Sequence, residues 1–340
     1  MIQGFPEGGN YKVMVQCCTY NQSRYIEDTL NGFVMQQTDF PFVCCVFDDA
    51  STDGEQVVLK RWVQNHCILE EVEEYDHPLT SILMAPDKDN PNCIYAIHLQ
   101  KINTFGKPEK LEMFAHWEEK CEYVAICEGD DYWIDPLKLQ KQVDFLEANP
   151  EYGMCYTKVT VYNESRKCFV RVFGGANMEF EELMDENTVP TLTVMLRSRL
   201  YKEYNLDINP EQYGWLLGDY PLWLWISKKY KIRFINEITG VYRLLEESAS
   251  HSTDILKQER FINSCYDMLH VFAEKYSCRK WRCIEDRRYR ALMSNALYCG
   301  NREKVRSCFR NIKDTTCKDY LKLIISSNSI LQFMLRKLKK

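Results

Sequence analysis

Apolar runs that stop abruptly at polar turns recur along the first half of the chain. Residues 11–21 form a β-rich run that ends in a polar turn, and apolar residues at helical spacing follow between residues 25 and 34. The run Phe42–Asp48 is apolar until it reaches a pair of carboxylates, and a helical pattern follows from about residue 55 to residue 66. A continuous apolar run of this length is typical of a parallel strand covered on both faces. Two successive strand-then-helix units predict an open α/β sheet that binds ligands at the carboxyl ends of its strands.

A third apolar run, residues 123–127, ends in the carboxylates of Glu128, Asp130 and Asp131, and a helix-like segment follows over residues 136–149. Burying carboxylates without partners is costly, so such a cluster is usually relieved by a cation or by a ligand with hydrogen-bond donors. Mg²⁺ and Mn²⁺ suit it, because they bind through one or two carboxylates and complete their shell with water and substrate phosphates. The alternative is a polar turn in which an aspartate caps the following helix.

The polar turns after these three runs, at residues 19–21, 48–53 and 128–131, are expected to share one edge of the sheet. This follows because the carboxyl ends of neighbouring parallel strands lie together. Residues 70–122 are harder to assign from their pattern. Within them, residues 103–108 form a turn-rich stretch that could close over a bound nucleotide.

The second half of the chain predicts a different organisation. Apolar residues recur at helical spacing from residue 254 onward. The 340 residues, 45% hydrophobic and 27% charged, are enough for a large core and one domain with an appendage. We therefore predict an α/β domain over residues 1–253 and a C-terminal helical region over residues 254–340.

Charge and cysteine content narrow the class of protein. The net charge of −6 argues against a nucleic-acid partner, since such binding depends on Lys and Arg that neutralise phosphates. Any nucleotide is expected to be a small ligand. The 16 cysteines include adjacent pairs inside apolar runs, such as Cys44-Cys45, and the chain shows no signal peptide. We interpret them as buried thiols of a cytoplasmic protein.

Three motifs together resemble family 2 glycosyltransferases of the bacterial surface-polysaccharide type. They are Cys18-Thr19-Tyr20-Asn21, the turn from Phe47 to Gly54, and Glu128-Gly129-Asp130-Asp131-Tyr132-Trp133 followed by residues 135–140. The resemblance covers roughly residues 10 to 250, and its motifs are specific in combination and order. It implies the GT-A fold, a Rossmann-like α/β architecture with a mostly parallel central sheet flanked by helices. The helical pattern downstream then forms a C-terminal helical appendage.

The resemblance also implies a donor site. The implied contacts to a nucleotide-sugar are those of Thr19, Tyr20, Asn21, Asp49, Asp53, Glu128, Gly129 and Arg243, and the implied metal ligands are Asp130, Asp131 and His251. The first three hold the base, and Asp49 accepts a hydrogen bond from uracil or ribose. The acidic motif departs from the DxD pattern by placing Glu128 first, so this carboxylate contacts either ribose or metal. Asp131 either ligates through water or caps a helix, and Arg243 pairs with a diphosphate or a carboxylate.

Asp219 is the candidate catalytic residue. It stands before an apolar helical pattern, with Pro221 in the first turn, so a helix cap is the simpler interpretation. The family pattern places its general base in this Gly-Asp position. A transferase that inverts the anomeric carbon needs such a base to take the proton of the acceptor hydroxyl.

Basic segments with interleaved aromatic residues lie near the C-terminus, at residues 279–282 and 287–290, and the last eight residues are apolar and basic. Such segments either bind an anionic membrane surface or form solvated helix faces. Peripheral contact with the inner face of the cell membrane is one expectation. No apolar run approaches the ~20 residues that span a bilayer.

The expected activity is that of a metal-dependent, inverting glycosyltransferase of the hexosyltransferase type, using Mn²⁺ or Mg²⁺. It would move a sugar from a nucleotide diphosphate sugar, with a UDP-sugar favoured, to a hydroxyl of a cell-surface glycan or polyprenyl-linked acceptor. One alternative is a nucleotidyltransferase acting on sugar phosphates, but residues 19–24 lack its glycine-rich loop. The other alternative is a non-catalytic nucleotide-sugar-binding protein. Such a protein would lack the base or the metal carboxylate, and both Asp219 and Asp130 are present.

Overall fold

The computed structural model describes residues 5–6, 9–246, 254–279, 281–328 and 331. The chain divides into two compact units, the first formed by Met1–Asn209 and Trp225–Leu244 and the second by Pro210–Leu224 and Leu245–Lys340. The sequence-based division after residue 253 stays a prediction.

Within the described residues, the first unit contains one sheet of 11 strands. The strands are β1 (Tyr11–Thr19), β2 (Phe42–Asp48), β3 (Glu73–Asp76), β4 (Thr80–Pro86), β5 (Cys93–Gln100), β6 (Cys121–Ile126), β7 (Tyr132–Trp133), β8 (Tyr152–Asn163), β9 (Cys168–Phe173), β10 (Met195–Arg197) and β11 (Lys231–Leu244). Their spatial order is β3-β4-β5-β2-β1-β6-β10-β8-β11-β7, and β9 pairs with β8. The four central strands, β5, β2, β1 and β6, are parallel, whereas β4 and β10 flank them in antiparallel pairing.

Helices cover this sheet. They are α1 (Ile26–Val34), α2 (Glu55–His66), α3 (Pro108–Glu118), α4 (Lys138–Ala148), α5 (Phe180–Asp185) and α6 (Arg199–Ile208), while α7 (Asp219–Lys229) contributes residues to both units. In α1 the side chains of Ile26, Leu30 and Phe33 are buried, as their helical spacing predicts. All seven residues of β2 are buried, as expected for a strand between two parallel neighbours. The predicted α/β class is confirmed.

The second unit is helical, as predicted for the C-terminal region. It contains α8 (Ile255–Lys275), α9 (Trp281–Cys299), α10 (Arg302–Asn311) and α11 (Cys317–Ser327). Its core is formed by Leu292, Met293, Ala296, Leu297, Val305, Cys308 and Ile312. Arg290 Nε donates to the buried carboxylate of Asp319 at 3.0 Å and so ties α9 to α11. In the part of the chain that the structure describes, no helix is both long and apolar enough to cross a membrane.

Candidate active site

The loops that follow β1, β2 and β6 meet at the carboxyl edge of the central sheet. The last residues of β1 and β2, Thr19 and Asp48, are neighbours in register. The N–H of Asp49 donates to Thr19 O at 3.0 Å, and the N–H of Gly129 donates to Cys18 O at 3.0 Å. Both loops are therefore hydrogen-bonded to the end of β1, and motifs far apart in the sequence form one edge.

Gly129 allows the loop after β6 with the residues 128–131, here called the acidic loop, to lie directly against the loop after β1. A Cβ atom at this position would overlap the Thr19 hydroxyl and would lie 2.6 Å from Gln22 Oε1. Real Cβ atoms essentially never approach other atoms so closely, so a side chain here would push the two loops apart. The close approach of the loops requires a glycine.

Asn21 and Asp53 brace the loops after β1 and β2 against each other. Asn21, in the left-handed region at φ 56°, accepts a hydrogen bond from the N–H of Thr52 at 2.8 Å and donates its own N–H to Ser51 Oγ at 2.8 Å. Asp53 accepts from the N–H of Ser23 at 3.0 Å. Burial acts to raise the pKa of Asp53, but the hydrogen bonds from Ser23 and its neighbours outweigh it and lower the pKa. Asn21 and Asp53, both predicted to contact the nucleotide-sugar, therefore shape these loops.

Tyr20 and a nearby cavity are accessible at the same edge. The Tyr20 side chain is 49% exposed, in contrast to the buried Thr19 beside it. A cavity of about 340 Å³ opens beside the loop after β2. It is lined by Ala50, Ser51, Gln56, Lys60, Ser81, Leu99, Gln100 and Lys101. The edge thus offers a ring face and a polar cavity to a ligand.

Asp49 is only 4% exposed, and its carboxylate is hydrogen-bonded by the loop after β5. Asp49 Oδ1 accepts hydrogen bonds from the N–H and the hydroxyl of Thr104, at 2.6 and 2.8 Å. Its Oδ2 lies 3.8 Å from Lys110 Nζ, and its carbonyl oxygen accepts from the Asn103 side chain at 3.0 Å. A ligand that hydrogen-bonds Asp49 Oδ1 would therefore compete with Thr104.

The acidic loop brings three carboxyl groups together, and that of Asp131 is buried. Asp131 is 2% exposed, and burial, followed by the charges of Asp130 and Glu128, raises its pKa well above the usual value. Burial also raises the pKa of Asp130, against the opposing effects of Arg243 and of a hydrogen bond from the Gln22 side chain. A cation bound here would relieve this repulsion.

Arg243 holds the acidic loop and α1 together. Its backbone N–H donates to Asp131 Oδ1 at 2.7 Å, its guanidinium donates to Asp130 O at 2.8 Å, and the same group pairs with the carboxylate of Asp28. The guanidinium carbon lies 5.1 Å from the ring centroid of Tyr25 and 4.6 Å from that of Tyr132. The Arg243 side chain is only 7% exposed, and its hydrogen bonds are made mainly to other residues of the protein.

The donor set at this loop fits a divalent cation that is bound mainly by substrate and water. Among the described residues, no group of three or more His, Cys, Asp or Glu side chains could hold a metal ion by itself. Asp131 Oδ1 accepts the N–H of Arg243, and the neighbouring carboxyl groups of the loop are those of Asp130 and Glu128. One or two carboxylates with diphosphate oxygens and water is the usual arrangement for Mg²⁺.

Two predicted site residues, Asp219 and His251, are outside the first unit's described residues. Asp219 belongs to the second unit, where it is the first residue of α7 and accepts the N–H of Tyr220 at 2.7 Å. It therefore stands in the first helical turn, one position later than a cap residue. His251 lies outside the described residues.

Three residues that support the loops were not found from the sequence. The Thr29 hydroxyl lies 2.9 Å from Gly129 O and 2.6 Å from Asp131 O, and Asp28 pairs with Arg243. Glu55 accepts hydrogen bonds from the loops after β1 and β2. Thr29 and Asp28 lie in α1, and their partners are distant in sequence, so no local pattern signals them. An acidic residue in the first turn of α2 was visible, but such residues are common at helix starts.

Comparison with known proteins finds sequence relatives over about half of the chain. No family model matches the chain. Uncharacterized proteins of Mycobacterium bovis and of two Mycobacterium tuberculosis strains are 30% identical over 182 residues, which is 53% of this chain and 45% of each relative. The matched segment thus spans less than half the length of these relatives.

Two solved structures are similar over most of the chain. The glycosyltransferase TarS of S. aureus aligns with a TM-score of 0.50 and 15% identity, over 95% of this chain and 54% of TarS. The mannosyltransferase PcManGT from Pyrobaculum calidifontis, in complex with GDP-Man and Mn²⁺, aligns with a TM-score of 0.47 and 14% identity, over 98% of this chain and 88% of that protein. The similarity to TarS concerns the fold, and the fold of this chain is the GT-A type with added C-terminal helices.

Proposed function

We propose that this chain is a metal-dependent, inverting glycosyltransferase of family 2 and of the hexosyltransferase type. It transfers a sugar from a nucleotide diphosphate sugar, with a UDP-sugar favoured, to a hydroxyl of a cell-surface glycan or polyprenyl-linked acceptor. The observation that carries the proposal is the acidic loop at residues 128–131, with Asp131 buried and Gly129 hydrogen-bonded to the end of β1 beside the predicted nucleotide loop. A cluster of carboxyl groups at the carboxyl edge of a parallel sheet suits a metal-diphosphate ligand.

The nucleotide lies, on this proposal, along the loops after β1 and β2. Tyr20 is sufficiently exposed to stack on the base, whereas Thr19 and Asn21 set the shape of the loop. Asp49 accepts a base or ribose donor in exchange for the two hydrogen bonds that Thr104 now makes. The ligand donor replaces one of these two hydrogen bonds, and the loss of the other is a cost that nucleotide binding must offset.

The diphosphate lies at the acidic loop. A bound Mn²⁺ or Mg²⁺ would stabilise the negative charge that develops on the leaving group as the glycosidic bond breaks. Asp130 and Glu128 supply carboxylate oxygens, and Asp131 contributes through water or its second oxygen. Arg243 keeps the loop in place through Asp130 O and the Asp131 carboxylate. His251 is a further candidate ligand.

Asp219 is the proposed general base. The acceptor hydroxyl attacks the anomeric carbon on the face opposite the diphosphate, and its proton passes to the carboxylate. This displacement inverts the configuration at that carbon. The Asp219 carboxylate lies in the first turn of α7, where the helix N-terminus favours negative charge.

The C-terminal helical region is proposed to contact the inner face of the cell membrane, with the protein otherwise in the cytoplasm. The side chains of Tyr320, Leu321 and Ile324 on α11 are each more than half exposed. Lys318 lies exposed on the same helix, and the chain ends in further Lys and Arg residues. An exposed apolar stripe with basic neighbours is typical of a helix that binds at a lipid interface.

The test is a donor screen with Mn²⁺, scoring release of nucleotide diphosphate from each nucleotide-sugar with and without a lipid-linked acceptor. Binding of UDP is measured by calorimetry in parallel. Asp130→Ala is expected to weaken UDP binding that depends on metal, because one carboxylate ligand is lost. The matched control is Asp89→Ala, an exposed aspartate in the loop that leads into β5 at the opposite edge of the sheet. Unchanged metal-dependent affinity in Asp130→Ala contradicts the assignment.

A further inference from the structure

Glu55 occupies an unusual position for a carboxyl group. It is the first residue of α2 and is fully buried between the loops that follow β1 and β2. Its Oε2 accepts hydrogen bonds from the N–H of Gln22 at 2.8 Å and from the hydroxyl of Ser51 at 2.9 Å. Its Oε1 is hydrogen-bonded to the Thr19 hydroxyl. One side chain thus connects both predicted nucleotide loops.

If Glu55 is ionised, the Thr19 hydroxyl lies between two acceptors and has too few protons to hydrogen-bond both of them. Thr19 Oγ1 lies beside Glu55 Oε1 and also 2.8 Å from Gln22 Oε1. A hydroxyl has a single proton to donate, and both neighbours are acceptors. A proton on Glu55 Oε1 resolves the conflict, because Glu55 then donates to Thr19 and Thr19 donates to Gln22.

The electrostatic surroundings agree with this proton count. Burial raises the pKa of Glu55, although hydrogen bonds from Thr19, Gln22 and Ser51 act to lower it, and the charge of Asp48 on β2 raises it further. Burial and the charge of Asp48 thus both favour a neutral Glu55.

The hydrogen bonds continue from Gln22 to the acidic loop. With its Oε1 directed at Thr19, the Gln22 amide has its two N–H groups available, and its side chain hydrogen-bonds Asp130. The order of donors runs from Glu55 to Thr19, then to Gln22, and from Gln22 to Asp130. The reverse orientation of the amide would place its oxygen against the Asp130 carboxyl.

We propose that Glu55, in its protonated form, is a positioning residue that orients Thr19 and Gln22 and, through Gln22, the Asp130 carboxylate. It touches neither substrate nor metal. The inference rests on the proposed function, since Thr19 and Asp130 serve catalysis only if the chain binds a nucleotide-sugar and a cation. It adds that the nucleotide half and the metal half of the site are connected by one chain of hydrogen bonds.

The first experiment compares Glu55→Gln with Glu55→Ala in calorimetric titration with UDP and Mn²⁺. Glutamine reproduces the protonated acid, with one donor for Thr19 and one acceptor for Gln22 and Ser51, so UDP affinity should stay within about threefold of the wild type. Alanine removes the acceptor of the Gln22 N–H and of the Ser51 hydroxyl and the partner of Thr19, and UDP affinity should fall about tenfold or more. Glu303→Ala, at an exposed glutamate in the first turn of α10, is the matched control and should change nothing. Equal loss of affinity in Glu55→Gln and Glu55→Ala overturns the proposal.

The second experiment detects the proton directly and needs no ligand. The infrared difference spectrum between the wild type and Glu55→Gln at pH 7 should contain the carbonyl band of a protonated carboxylic acid. A carboxylate band in its place overturns the proposal. If the wild-type chain fails to bind UDP, the proposed function fails, yet this spectrum still decides the state of Glu55. It also decides the question if Glu55→Ala does not fold.

Discussion

Replacing Arg243 by lysine is expected to loosen the acidic loop while keeping the positive charge. Lysine cannot donate to Asp130 O and Asp28 from one planar group, and it stacks less well between Tyr25 and Tyr132. A hydrogen bond from a charged donor contributes about 1.5–3 kcal/mol, and each cation–π contact contributes about 0.5–1 kcal/mol where partly exposed. The Asp28 side chain is 58% exposed, so solvent reduces that pair to at most ~1 kcal/mol. We expect Arg243→Lys to lower the free energy of unfolding by about 2–4 kcal/mol.

The assay separates two roles for this arginine. Urea unfolding reports the effect on stability, and calorimetry with UDP, with and without Mn²⁺, reports the effect on the site. Asp28→Asn removes only the exposed ion pair, so its effects should have the same direction and be smaller, at most ~1 kcal/mol. Arg199→Lys is the matched control, because Arg199 also stacks on a tyrosine, Tyr230, and pairs with Glu203 but has a side chain that is 51% exposed.

Two results would refute this reasoning in different ways. If Arg243→Lys unfolds at the same urea concentration as Arg199→Lys and retains metal-supported UDP binding, Arg243 does not hold the acidic loop. If stability is unchanged but UDP binding is lost even without metal, Arg243 contacts the diphosphate directly, which is one of the two pairings expected for it from the sequence. In that case Asp28→Asn should leave UDP binding unaffected.

Three further predictions concern single side chains. Asp49→Asn should raise the Michaelis constant for the donor and preserve the metal requirement in initial-rate kinetics; altered metal preference with normal nucleotide affinity would mean that Asp49 and Asp130 have exchanged roles. Asp219→Asn should slow transfer ~10²–10⁴-fold while unfolding changes by less than about 1 kcal/mol, and near-normal turnover would locate the base elsewhere. His98 is fully buried, accepts the indole N–H of Trp117 at 2.9 Å, and has its pKa lowered by burial from 6.5 to about 3. The unfolded chain therefore binds a proton that the folded chain excludes, and stability should fall as the pH drops below 6.5, by about 2 kcal/mol at pH 5. Glutamine keeps the acceptor without titrating, so equal acid sensitivity of wild type and His98→Gln in urea unfolding would contradict this.

The sheet's carboxyl edge was predictable because its signals are local. In β2 and β6 a continuous apolar run ends in carboxylates, which indicates a buried strand followed by a ligand loop. The stretch that contains β3, β4, β5 and α3 was not assigned from its pattern. One reason is that β5 buries polar residues, among them His98 and Gln100, whose partners come from α3. A polar residue that is buried against a partner distant in sequence interrupts the apolar pattern from which a buried strand is predicted.

The contacts within the site were less predictable than its location. Asp28 and Arg243 are separated by 215 positions, and no local motif announces their pairing. The resemblance to family 2 glycosyltransferases implies that Asp49 is an acceptor, but it does not show that Thr104 hydrogen-bonds this carboxylate, since that depends on how the loop after β5 folds back. Tertiary packing determines which carboxylate oxygens are available to a ligand.

The contact between Gly129 and Thr19 has an evolutionary consequence. Because any side chain at position 129 would overlap the Thr19 hydroxyl, a substitution there is tolerable only alongside a smaller residue at position 19 or a displaced loop. The two positions should therefore covary among homologous sequences, although they belong to different motifs. Chimeras that join the N-terminal segment of one relative to the acidic loop of another should fold only when the two parents agree at this pair.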